Sequence, residues 1–132
     1  MGVRGAVRRV DVTGAARPVV AWERYADLDA WATWAPQIRG VEADGARLAV
    51  GRRGVVRALG GFPVPFVVTA VDERAMRWSW IARVGPVSLF LHHEVAPDPR
   101  GTRAGLVLEG PGPVVAAYAP LTRLALARLV AP

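Results

Sequence analysis

The sequence contains no cysteine, no lysine and no asparagine; it has one glutamine, Gln37, and two serines, Ser79 and Ser88. Lack of cysteine excludes disulfides, zinc–thiolate sites and thiol nucleophiles. Lack of lysine excludes Schiff-base chemistry on a lysine side chain. There is no nucleophile elbow, phosphate-binding glycine loop or two-histidine helix motif. Proton transfer therefore falls to His92, His93, Tyr25, Tyr118, a carboxylate or water. No apolar run approaches the roughly 18 residues that would span a bilayer. Residues 1–6 lack the apolar region of a signal peptide and carry Ala6 where a myristoylation signal wants Ser or Thr. These features predict a cytoplasmic protein without stable membrane insertion.

What is present points to one globular domain over residues 1–132, since 52% of the chain is hydrophobic and only 21% is charged. The net charge of +6 invites an anionic partner. Its distribution argues against nucleic acid. All 17 basic residues are arginine, spread from Arg4 to Arg128, and only Arg8-Arg9 and Arg52-Arg53 are adjacent. No basic stripe interleaved with stacking aromatics can be drawn.

The most informative stretch is 75–95, which alternates with period 2 on either side of a Gly85-Pro86 turn signal. Met76, Trp78, Trp80 and Ala82 share one face of the first arm, opposite Arg77, Ser79, Ile81 and Arg83. In the second arm Val87, Leu89, Leu91, His93 and Val95 share a face, opposite Ser88, Phe90, His92 and Glu94. His93 thus stands alone on an apolar, indole-bearing surface. It reads either as a functional imidazole in a cavity wall or as a buried histidine bonded to a neighbour.

The rest of the chain supplies the context. A strand is predicted over 6–12, then a helix opened by Pro18 with Val19, Trp22 and Ala26 on one stripe, flanked by Ala21 and Tyr25. A second short helix, capped by Asp27 or Asp29, carries Leu28, Trp31 and Trp34 and ends before Pro36. Turn signals then separate strands over 38–43, 46–59, 64–71, the two arms already described, and 102–109. In the last of these Thr102, Ala104, Leu106 and Leu108 share a face. Over 113–130 the residues Val114, Ala117, Tyr118, Leu121, Leu124, Ala125 and Leu129 fall at steps of three and four, with Thr122 and Arg123 off the stripe. Pro120 inside this helix predicts a kink or a break.

This order of elements resembles the helix-grip fold of the SRPBCC superfamily, which includes START lipid-transfer domains, birch-pollen-allergen-like proteins and the polyketide cyclase/dehydrase family. The residues carrying the resemblance are Ala-Trp-Glu-Arg-Tyr-Ala-Asp-Leu at 21–28, Trp-Ala-Thr-Trp-Ala-Pro at 31–36 and Val-Thr-Ala-Val at 68–71. Trp78-Ser79-Trp80, His93-Glu94-Val95 and Gly101-Thr102-Arg103 complete it. The resemblance implies an α+β fold: a curved antiparallel sheet of about seven strands, two short helices and a long C-terminal helix over a cavity.

The cavity implied by this likeness takes a hydrophobic or aromatic small molecule. Its sheet wall would be Phe66, Trp78, Trp80, Leu91, His93 and Leu106, its helix wall Tyr118 and Leu121, and its entrance Trp34. Cyclase members are thought to orient a poly-ketone chain with an arginine and a tyrosine. In this sequence strand parity turns Gly54, Val56 and Ala58 inward and Arg53 and Arg57 outward, which leaves Arg52 as the candidate arginine. One function is then a cyclase or dehydratase, in which His93 takes a proton alpha to a carbonyl and Tyr118 or water donates to the enolate, with no metal or cofactor. The alternative is a non-catalytic carrier or sensor of a lipid, quinone or polyketide; a partner-binding module comes third. A monomer or homodimer is expected.

Overall fold

A computed structural model describes residues 5–132; residues 1–4, on which part of the N-terminal reading rests, lie outside the described residues. The elements run β1 (Gly5–Gly14), α1 (Pro18–Ala26), a 3-10 turn (Leu28–Ala30), α2 (Trp31–Trp34), β2 (Ile38–Ala43) and β3 (Arg53–Ala58). They continue with β4 (Pro63–Asp72), β5 (Arg77–Val84), β6 (Val87–Asp98), β7 (Gly101–Pro111) and α3 (Gly112–Leu129). The strands form one seven-stranded sheet in the order β1-β7-β6-β5-β4-β3-β2, antiparallel throughout. Strands 2 to 7 are thus a meander, and the first strand closes against the last.

Geometry makes a cavity hard to avoid. Seven strands about 4.8 Å apart span roughly 30 Å, whereas one helix with its side chains is about 10 Å across. α3 packs on β1 and β7, and α1 on β6 and β7, so among the described residues no helix lies flat over the inner face of β3, β4 and β5. Large side chains and a hollow fill that space. The inner face follows the predicted alternation: Trp78, Trp80, Ala82, Leu89, Leu91 and His93 are all buried. So are Thr102, Ala104, Leu106 and Leu108 of β7.

Three expectations change. The strand expected over 46–59 begins only at Arg53. Gly51 takes φ +85°, which turns the chain, and the preceding residues bond to the α1 end instead, with Leu28 N–H donating to Ala46 O at 2.9 Å and Leu48 N–H to Ala26 O at 2.9 Å. The buried stripe of α3 is Val115, Ala119, Thr122, Ala125, Leu126 and Leu129, rotated from the predicted one. Leu121 and Leu124 are exposed at 38% and 47%. Thr122 tolerates burial because its hydroxyl donates to Ala119 O at 2.7 Å. Finally, α3 runs through Pro120 without a break; that residue faces solvent, where water can serve the carbonyl it leaves unpaired.

The C-terminal end of α3 is tied down by polar contacts. Arg24 donates to the carbonyls of Leu129 and Ala131 at 2.7 Å each, a cation placed where a helix end concentrates negative charge. Val130 O accepts from Ala16 N–H at 3.0 Å, and Ala16 O accepts from the buried Thr102 hydroxyl at 2.6 Å. On the outer face Arg9 and Arg103 both bridge Asp11 and Glu94, roofing Gly105. Among the described residues no helix is long and apolar enough to cross a membrane.

Gly14 stands where β1 leaves the sheet, and a Cβ there would collide with the Val130 backbone carbonyl. Gly14→Ala is expected to cost about 1–3 kcal/mol, measured as a lower urea midpoint at unchanged slope, since backbone must shift to admit the methyl group.

Candidate functional site

β5 and β6 place the site. Trp78 pairs with His93 and Trp80 with Leu91 across the hairpin, so two indoles and the imidazole project from one patch of the inner face. His93 lies flat on Trp78, with ring centroids 3.8 Å apart and planes 3° apart. Its Nδ1 is 3.2 Å from the Trp78 carbonyl oxygen, and only an N–H can serve that acceptor. The tautomer is therefore Nδ1–H, which leaves the Nε2 lone pair free. Tyr25 of α1 meets His93 edge-on at 5.4 Å and Trp78 at 5.4 Å.

These side chains line a cavity of about 160 Å³ between the sheet, α2 and α3. Of the residues expected there, Trp34, Trp78, Trp80, Leu91, His93 and Leu106 are in its wall. Tyr118 and Leu121 join them from α3, Leu121 at the open side. Phe66 is not in the wall. It is buried behind it, 5.0 Å from Trp80 and 5.9 Å from Trp31. Val56 and Ala58 line the cavity as strand parity predicts. Arg52 does not: its guanidinium bonds Arg47 O at 2.8 Å and Asp44 at 3.2 Å outside.

Sequence reasoning gave no wall position to Tyr25, Gln37 or Thr122. The α1 periodicity puts Tyr25 on the flank of the stripe, yet it is 1% exposed. Gln37 carries a signal, being the single carboxamide in the chain and following the Ala35-Pro36 stop of α2.

Polar satisfaction divides the indoles. Trp22 donates to Glu73 at 3.0 Å, Trp31 to Tyr25 O at 2.8 Å and Trp34 to Arg24 O at 3.0 Å. The Nε1 atoms of Trp78 and Trp80 are buried and have no partner, as are the Tyr25 hydroxyl and Gln37 Oε1. All four belong to wall residues. The Gln37 carboxamide neighbours the Tyr118 hydroxyl without reaching full hydrogen-bond geometry.

Burial also sets the titration behaviour. Loss of solvent lowers His93 to a pKa of about 3, only partly opposed by its bond to Trp78 O, so the imidazole is neutral near pH 7. The same loss raises both tyrosines, Tyr118 against a small opposing effect of Gln37. His92 sits on the opposite face, between Ser79 Oγ at 2.9 Å and Glu109 at 2.7 Å. Among the described residues no group of three or more His, Asp or Glu side chains offers a metal ion a site.

Residues 7–131 match the model of a family described as "Polyketide cyclase / dehydrase and lipid transport". Among solved structures, a protein of Nitrosospira multiformis is 17% identical with a TM-score of 0.74, over 95% of this chain and 94% of that one. Ara h 8.0201 is 10% identical with a TM-score of 0.70, over 96% of this chain and 99% of that one. A protein of Chromobacterium violaceum is 16% identical with a TM-score of 0.71, over 94% of each chain. At such identities the likeness speaks for the fold alone. No curated protein matches the sequence significantly.

Two outcomes follow for the site. Tyr25→Phe removes a buried hydroxyl without a partner and is expected to raise the stability of the free protein by about 1 kcal/mol in urea denaturation. His93 has a folded pKa below its unfolded one, so its contribution to stability is complete above about pH 6.5 and is lost as pH falls toward 3. Between pH 6.5 and 5 the protein is expected to lose about 2 kcal/mol that His93→Gln does not lose, read from urea midpoints across that range.

Proposed function

The chain belongs to the polyketide cyclase / dehydrase and lipid transport family, within the SRPBCC superfamily, and on that premise we propose that it holds a hydrophobic or aromatic small molecule between sheet and α3 without transforming it. The observation that carries this reading is the character of the wall. It is built mainly of apolar and aromatic side chains, contains no ionised group among the described residues, and keeps its one imidazole neutral. Such a wall suits binding by shape and desolvation, with a few polar atoms to fix orientation.

The same wall is poorly equipped for acid/base work. Abstraction of a proton alpha to a carbonyl is served best by a base whose pKa lies near the working pH, and His93 lies far below it. Tyr25 and Tyr118 are shifted the other way, which makes them weak acids. A second reading, cyclisation or dehydration with His93 as base and Tyr118 as donor, is favoured by the family description and by the presence of both side chains in one cavity. It requires a bound substrate to raise the basicity of Nε2 by several pKa units, because burial acts against the imidazolium.

Native mass spectrometry of the purified protein separates the two. A carrier is expected to release, after prolonged incubation, a molecule with the same mass and the same chromatographic retention as the one it took up, retention being needed because ring closure alone changes no mass. Appearance of a cyclised or dehydrated product, at a rate abolished in His93→Gln, would overturn the carrier reading and establish the enzyme.

A further inference from the structure

The outer face of the sheet, turned away from the cavity, carries chemistry of its own. Ser79 of β5 and His92 of β6 are direct cross-strand partners, and Glu109 of β7 is the diagonal neighbour of His92 on the same face. Ser79 Oγ is 2.9 Å from His92 Nδ1, and His92 Nε2 is 2.7 Å from Glu109 Oε2. A carboxylate can only accept, so Nε2 carries a proton, and in the neutral ring Nδ1 is left as the acceptor for the Ser79 hydroxyl. A nucleophile is thus bonded to a base that a third group orients, the arrangement by which serine is activated on unrelated folds. The two ring nitrogens exchange their customary places. Proton transfer is unaffected, because imidazole accepts at one nitrogen while it donates at the other.

The surroundings suit a reacting group. Ser79 and His92 line a depression of about 360 Å³ in the outer face, together with Arg9, Arg77, Glu94 and Gly105. The His92 and Glu109 side chains are 48% and 43% exposed, so a dissolved molecule can reach them. β4 is irregular where it meets Ser79: Val68 faces Trp80 and Ala70 faces Ser79, which leaves Thr69 as an extra residue. Bulges of this kind re-aim a neighbouring side chain.

A negative charge developing beside Ser79 also has a counterpart. β5 lies inside the sheet, where backbone N–H groups are committed to the strand ladder, so the donor must come from a side chain. Arg77 shares the face of Ser79 two residues earlier, roughly 7 Å along the strand. Its guanidinium is held only loosely, with Nε 3.8 Å from Glu94 Oε2.

We propose that Ser79, His92 and Glu109 form a second, solvent-facing site, separate from the cavity, that takes an acyl group from short-chain carboxylic esters. Ser79 Oγ bonds to the ester carbonyl carbon while its proton passes to His92 Nδ1, and the Arg77 guanidinium meets the oxyanion. The bond to the leaving alcohol oxygen then breaks, and that oxygen takes the proton from Nδ1. Water attacks the acyl-serine in the same way, its proton passing through Nδ1, and the carboxylic acid departs with Ser79 restored. Ser79 and His92 are the catalytic residues; Glu109 positions the imidazole and stabilises the imidazolium.

The test uses the full chain and 4-nitrophenyl acetate. Nitrophenolate release is expected to fall roughly tenfold or more in Ser79→Ala and in His92→Gln, and several-fold in Glu109→Gln at unchanged KM. Acid quenching is expected to leave the wild-type protein heavier by one acetyl group, mapped to Ser79. Urea midpoints check that the variants remain folded. Ser79→Cys supplies the only thiol in the chain. Its acetylation is expected to slow several-fold when His92→Gln is added, a dependence that a merely structural histidine lacks. A rate in Ser79→Ala within twofold of wild type, acetyl carried only by other residues, or no ester cleavage above that in buffer would each overturn the proposal.

Discussion

The stack of His93 on Trp78, fastened by the bond from Nδ1 to the Trp78 carbonyl, is the contact on which the site depends. It fixes the tautomer, hides the imidazole from water and holds one indole against the sheet. Tyr25 then packs edge-on against both rings, and Trp31 packs against Trp78 and Trp80 from the helical side. An aromatic cluster of this kind is rigid because each ring is held by neighbours at several angles. Beside it, β3 contributes only the short Val56 and Ala58 to the wall, and α3 sets Thr122 and Ala125 among its longer Tyr118, Leu121 and Leu126.

The architecture and the site differ in how far the sequence revealed them. Period-2 alternation in β5, β6 and β7 was legible because each inner face is apolar and each outer face carries arginine, serine or glutamate, so the two faces separate cleanly. α3 was harder. Its Ala, Val and Leu residues surround the axis almost completely, and a helix apolar on most sides does not announce which side is buried. A threonine went inward and two leucines outward, an arrangement that depends on where α3 crosses β1 and β7. The segment before β3 misled for a similar reason, since Ala46, Leu48 and Val50 alternate like a strand while the chain follows the end of α1.

Site residues divide along the same line. Trp78, Trp80, Leu91, His93 and Leu106 were legible because the sheet face determines their direction. Phe66 shares that face, but the wall at its position is built by Trp80 and Trp31 in front of it, and periodicity carries no depth. Tyr25 and Gln37 come from the helical layer and its exit, where tertiary packing alone decides what reaches the hollow.

Because the sheet never closes into a barrel, it leaves two rims of free backbone donors and acceptors, along β1 and along β2. Such rims invite another chain to add itself as a further strand. β2 offers only six residues, interrupted by a bulge between Ile38 and Gly40. β1 is longer, but an antiparallel copy centred between Arg8 and Arg9 would set each of these arginines opposite the other, so like charges oppose that register. Growth along either margin thus meets an obstacle, a bulge on β2 and facing arginines on β1.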